Sequence, residues 1–188
     1  MEYVDALRNT KDISNIKRYL KKHSERDYVL FVFGINTGLK ITEMLPLQVK
    51  DVMDSQNEVK NFIEIPQKEG LLGKDVYVNK QVKIALRHYI KELMLNNDDY
   101  LFASIKTKQP ISRQQAYRII HDAAIEVGIQ GKIGTNSMRK TFGYHAYKRG
   151  VAISLLQKYF HHSTRAETLK YLGISKDEVI KTEIDVNL

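Results

Sequence analysis

The sequence predicts a mainly α fold carrying a small antiparallel β-hairpin or three-stranded sheet. Three observations carry that prediction. Apolar residues recur at helical spacing in several segments, as in Val82, Ala85–Leu86, Tyr89–Ile90 and Leu93–Met94. Two short alternating stretches, Asn61–Ile65 and Lys74–Val78, flank a segment containing Gly70 and Gly73. The chain has 188 residues, 43% hydrophobic and 28% charged, with no Pro/Gly/Ser-rich linker, which suits one globular domain of ordinary size.

The first helix is expected over residues 11–22, where Ile13, Ile16 and Tyr19–Leu20 are interleaved with basic residues. Ser24, followed by Glu25, Arg26 and Asp27, is an N-terminal helix signal for the apolar run 28–35. Periodicity alone leaves that run helix or strand. Its length and the cap before it favour a buried helix, stopped at Thr37–Gly38. Another helix is expected over 40–48, with Ile41, Met44, Leu45 and Leu47 inward. The rhythm then changes to period two on either side of a lysine-bearing loop at 67–73, and Asp51–Val52 is a candidate further strand. From Asn79 onward the pattern is helical again. The stripe through Val82–Met94 is followed by Ala116, Ile119–Ile120, Ala123 and Val127, closed by Gly128. Further helices are expected over 137–149, 153–159, 165–172 and 176–182.

Lys and Arg number 30 against 22 Asp and Glu, a net charge of +8. The surplus is local. Residues 1–100 hold 16 basic and 15 acidic groups, residues 101–172 hold 12 and 3, and residues 173–188 hold 2 and 4. A helical segment with so one-sided a charge matches a polyanion, nucleic acid first and an anionic membrane surface second. A solvated lysine-rich face is the plainer alternative. Without Cys there is no disulfide framework, no Cys-based zinc site and no thiol nucleophile. The N-terminus has no secretory pattern, and no apolar run approaches the roughly 18–20 residues that cross a bilayer. A cytoplasmic protein without a membrane partner is expected.

The sequence has no glycine-rich phosphate loop ending in Lys-Ser/Thr, no dinucleotide fingerprint and no paired-His zinc helix. His161 and His162 are adjacent, so on a helix they diverge by about 100° and cannot share one metal ion. No cofactor and no metal are expected. What stands out is a series of basic and hydroxyl groups. Thr37-Gly38-Leu39-Lys40-Ile41-Thr42-Glu43 sets Lys40 and Glu43 just inside a helix start. Asn136-Ser137-Met138-Arg139 opens a later helix. His161-His162-Ser163 is followed, nine residues after His162, by Tyr171.

In this order, over about residues 10–175, these blocks resemble the catalytic domain of the tyrosine recombinases, the phage-integrase family. Thr37–Glu43 looks like the family's first arginine box, and Gln67-Lys68-Glu69-Gly70 like the loop of its catalytic lysine. Asn136–Arg139 looks like its His-x-x-Arg box, and His162 with Tyr171 like its final histidine and nucleophile. The resemblance implies a tyrosine-recombinase-like catalytic fold and a site-specific DNA recombinase working through a 3′-phosphotyrosyl intermediate. Such chemistry keeps the bond energy in the covalent link, so rejoining needs neither ATP nor metal. By resemblance Tyr171 is the nucleophile, Arg139 a phosphate clamp, Lys68 the general acid, with Lys74 as runner-up, and His162 the late histidine. Lys74, Arg113, Arg118 and Lys140 are candidate DNA contacts. Double-stranded DNA is the implied partner, with self-association into a dimer or tetramer on it.

Two positions depart from the family pattern. Lys40 stands where the family has Arg, and keeps the charge without the planar fork. Asn136 stands where the family usually has His, and cannot shuttle a proton. A weakened enzyme and a degenerate member that binds DNA without efficient cleavage are therefore both open, as is a basic structural domain sharing only the fold. Residues 1–188 read as one catalytic domain without an N-terminal core-binding domain. Residues 1–10 form an extension, and residues 173–188 a tail packing on a neighbouring protomer or on its own domain.

Overall fold

A computed structural model describes residues 4–66, 73–175 and 178. Helix α1 (Thr10–His23) starts where the Asn9 side chain accepts the Lys11 N–H, and buries Ile16 and Leu20. Helix α2 (Glu25–Thr37) is capped by Ser24, whose hydroxyl accepts from Asp27 N–H. Val29–Phe33 are all buried, so α2 is apolar on every side, as a helix at the centre of a domain must be. It packs against α1, against α5 (Lys80–Glu92) and against α7 (Thr135–Lys148). Gly38 ends it in the left-handed conformation, φ 64°, and Phe142 leaves no room there for a side chain.

The helix expected over 40–48 is shorter in the structure. Helix α3 (Ile41–Met44) makes one turn before Pro46, and Lys40 is its N-cap residue rather than lying inside it. The expected strand at Asp51–Val52 is not formed either, because these residues belong to a second one-turn helix, α4 (Val49–Val52). The reason is local. The Asp51 carboxylate accepts the Gln48 N–H at 2.7 Å, a cap that starts a helical turn before sheet pairing can compete. Among the described residues the sheet therefore has two antiparallel strands, β1 (Phe62–Ile65) and β2 (Lys74–Tyr77), with Ile63 opposite Val76. An isolated antiparallel bridge outside the sheet joins Met53 to Val59. The loop with Lys68, residues 67–72, lies outside the described residues. So does the helix expected over 176–182, apart from Glu178.

Helix α6 (Arg113–Glu126) is capped by Ser112, and α8 (Ile153–Phe160) and α9 (Arg165–Leu172) follow α7 in the chain. Two apolar clusters result. The larger surrounds α2; the smaller joins Tyr144, Tyr147, Leu156, Phe160, Leu172 and Ile174. Helix α7 is the wall between them, and among the described helices it alone buries several polar residues: Ser137, Arg139, Lys140 and Thr141. At Gly143 the packing is close enough that a Cβ would lie 2.5 Å from Leu172 and 2.7 Å from Phe160. Helices α8 and α9 thus seat directly on the α7 backbone.

Candidate active site

Arg139 sits at the junction of these layers, 4% exposed. Its guanidinium donates to the Gly38 carbonyl at 2.5 Å and to the Phe160 carbonyl at 3.4 Å, and lies 4.5 Å from the Phe160 ring centroid. Carbonyl dipoles and a ring face hold it; among the described residues no carboxylate forms an ion pair with it. A buried cation with no ion-pair partner among the described residues is costly, and an incoming anion relieves that cost.

Tyr171 and His162 lie near Arg139, whose charge acts on both. The Tyr171 ring stands edge-on to the His162 ring at 4.9 Å and packs on Phe160 at 5.5 Å. Burial pushes the Tyr171 phenol above its usual range, while the Arg139 charge pulls it down. The His162 ring is oriented by Thr168, with Nδ1 to Oγ1 at 3.1 Å. The Thr168 hydroxyl already donates to the Thr164 carbonyl at 3.2 Å, so it accepts from His162 Nδ1–H and leaves Nε2 as the acceptor nitrogen. Burial holds His162 below the usual histidine range, with Arg139, His161 and Lys40 acting the same way and Glu167 opposing.

A cleft of about 320 Å³ has a lining that includes Lys40, Glu43, Glu64, Lys74 and His161. Lys74, on β2, pairs with Glu43 at 3.1 Å, and its ammonium lies 5.0 Å from the Tyr159 ring centroid. Glu43 also accepts the Lys40 backbone N–H at 2.7 Å. Burial pushes the Glu43 carboxyl up, but the Lys40 N–H and the Lys74 ammonium outweigh it and hold it below the carboxylate range. Burial also depresses Lys74, against the pull of Glu43 and with help from Arg139 and Lys40. Tyr159 donates its hydroxyl to the Thr37 carbonyl, and burial pushes its phenol far up. Tyr159 and Arg139 thereby pin two successive carbonyls, Thr37 and Gly38, just before Lys40.

The structure thus gathers Arg139, His162 and Tyr171, with Lys40 and Lys74 near enough to act on the adjacent His161. Lys140 is 7% exposed, with its amine donating to the Val4 carbonyl at 2.8 Å and lying 5.1 Å from the Tyr171 ring centroid. Asn136 is exposed on the first turn of α7, and Arg113 and Arg118 are exposed on α6. Sequence reasoning missed Tyr159, Glu43 and His161 as members of the cluster. The Lys40–Glu43 spacing was a capping signal that could have identified Glu43. Nothing local separates Tyr159 from the ten other tyrosines. Among the described residues no three His, Asp or Glu side chains gather as they would around a metal ion, and no helix is long and apolar enough to cross a membrane.

Residues 7–178 match the model of the phage integrase family. The probable integrase/recombinase YoeC of Bacillus subtilis is 40% identical over 177 residues, 94% of this chain and 93% of that protein. The crystal structure of the XerA recombinase superposes with a TM-score of 0.75 at 21% identity, covering 94% of this chain and 61% of that one. A post-cleavage complex of the XerH site-specific recombinase bound to its palindromic difH substrate superposes with a TM-score of 0.70 at 18% identity, covering 90% of this chain. This chain spans 49% of the XerH chain.

Proposed function

Because the chain belongs to the phage integrase family, we propose that it breaks and rejoins duplex DNA at specific sites through a 3′-phosphotyrosyl link to Tyr171. The observation that carries this reading is the buried Arg139 guanidinium, without a carboxylate partner among the described residues, beside a phenol and an oriented imidazole. Tyr171 Oη attacks the scissile phosphorus, the bond to the 5′ oxygen breaks, and that oxygen leaves as a hydroxyl. Arg139 and Lys40 hold the non-bridging oxygens and stabilise the charge that develops on them. His162 Nε2 takes the phenol proton. A lysine protonates the leaving oxygen, with Lys68 in that role and Lys74 as its alternate; burial makes Lys74 a readier donor than a surface lysine. Reversal of the same steps reseals the strand.

Exposed Arg113 and Arg118 on α6 contact the duplex, protomers associate on it, and the protein works in the cytoplasm. Asn136 contributes at most a hydrogen bond. The second reading, a member that binds DNA without efficient cleavage, is favoured by one observation: Lys40 and Asn136 both lack the function the family places there.

The test is a suicide duplex carrying the cognate site. Wild type forms a covalent adduct that survives denaturant, and Tyr171→Phe forms none while binding the same DNA. Absence of the adduct in wild type on a site that it binds overturns cleavage and leaves the second reading.

A further inference from the structure

His161 follows α8 with φ 59° and ψ 42°, the left-handed conformation that side chains other than glycine seldom adopt. Its backbone N–H caps the helix on Lys158 O at 3.1 Å, and the next N–H, of His162, bonds Gln157 O at 3.0 Å. The consequence is a division of labour among three successive residues. The Phe160 carbonyl receives Arg139, the His162 ring meets Tyr171, and the His161 side chain lines a cleft with Lys40 and Lys74. In a regular helix the two imidazoles would diverge by about 100°; here His161 is left-handed, and its side chain lines the cleft while the His162 ring packs against Tyr171.

The groups that face His161 make its surroundings electropositive. Lys40 on the α3 side, Lys74 on β2 and Arg139 on α7 are cationic. Glu43 is the carboxylate acting on it, and that group is engaged by Lys74 and by the Lys40 N–H. Asp51 and Glu64 also line the cleft, but Glu43 is the carboxylate whose charge acts on His161. Burial and the three cations hold the imidazole below its usual range, so it is neutral at pH 7 and carries one N–H to give.

We propose that His161 is a phosphate-contacting residue, its imidazole N–H donating to an oxygen of the scissile phosphate in the cleft between Lys40 and Lys74. The proposal rests on the recombinase reading. It gives the site a second imidazole where Asn136 supplies none.

Two measurements decide it. In the free protein, NMR titration with inorganic phosphate shifts the His161 ring signals and raises their titration midpoint, while His23, His88 and His121 stay still. His161 signals that do not respond to phosphate overturn the proposal. On the suicide duplex, His161→Gly cleaves about 10²-fold more slowly than wild type, the scale expected for one lost oxyanion donor. Glycine suits the left-handed position, so this variant keeps the fold, and His161→Asn, which tolerates that conformation and keeps a donor, recovers part of the rate. Cleavage by His161→Gly at the wild-type rate also overturns it. If wild type makes no adduct, the cleavage reading fails, while the phosphate titration still decides the contact.

Discussion

Lys40 carries a positive charge at the cleft without the planar fork that grips two phosphate oxygens at once. Its backbone is already in place, since Tyr159 and Arg139 bind the carbonyls of Thr37 and Gly38 and Glu43 accepts its own N–H. The side chain is exposed and free to lengthen. Lys40→Arg is therefore expected to raise the rate of adduct formation by about tenfold, with DNA affinity changed little, because the second oxygen is held only in the transition state. Single-turnover cleavage with saturating enzyme measures this, and an unchanged rate removes Lys40 from the phosphate clamp. At this scale residue type and spacing singled out Arg139 and Tyr171, which the fold brings together. The sequence was silent where a role depends on conformation, as with the left-handed backbone of His161.

Helix α7 is the element on which the site is assembled. Its 14 residues put Arg139 toward α2 and Gly143 toward α8 and α9, so one helix aligns the guanidinium with the segments bearing His162 and Tyr171. Gly143→Ala would normally favour a helix. Here the added methyl meets Leu172 and Phe160 at less than contact distance, and Phe160 is also the ring beneath Arg139. The expected outcome is a loss of about 1–3 kcal/mol, read as a lower urea midpoint, together with slower cleavage as α9 shifts. A variant as stable and as fast as wild type would show that the α7–α9 contact does not hold the site. Elements were legible from sequence where a long stripe or a cap marked them, the stripes for α1 and α5 and Ser24 for α2. The reading failed at Asp51–Val52, where two residues carry no period and the Asp51–Gln48 cap decided for helix.

For the whole molecule, the surplus of basic residues in 101–172 has two destinations. Arg139 and Lys140 are buried beside Tyr171, whereas Arg113 and Arg118 remain exposed on α6. Exposed cations that neutralise phosphates release counterions, so affinity for duplex DNA is expected to fall steeply with salt. Six contacts imply a loss of roughly 10³-fold between about 50 and about 200 mM. Fluorescence anisotropy across a salt series measures the slope, and a nearly flat one excludes a phosphate-tracking surface. Periodicity, capping and charge are properties of neighbouring residues, so the order of residues alone specified the mainly helical class, the hairpin and the basic half. The arrangement of the site required the folded chain. Arg139 meets Gly38 across 101 positions and Tyr159 meets Thr37 across 122, and burial at such contacts, rather than residue type, determines which charges face the cleft.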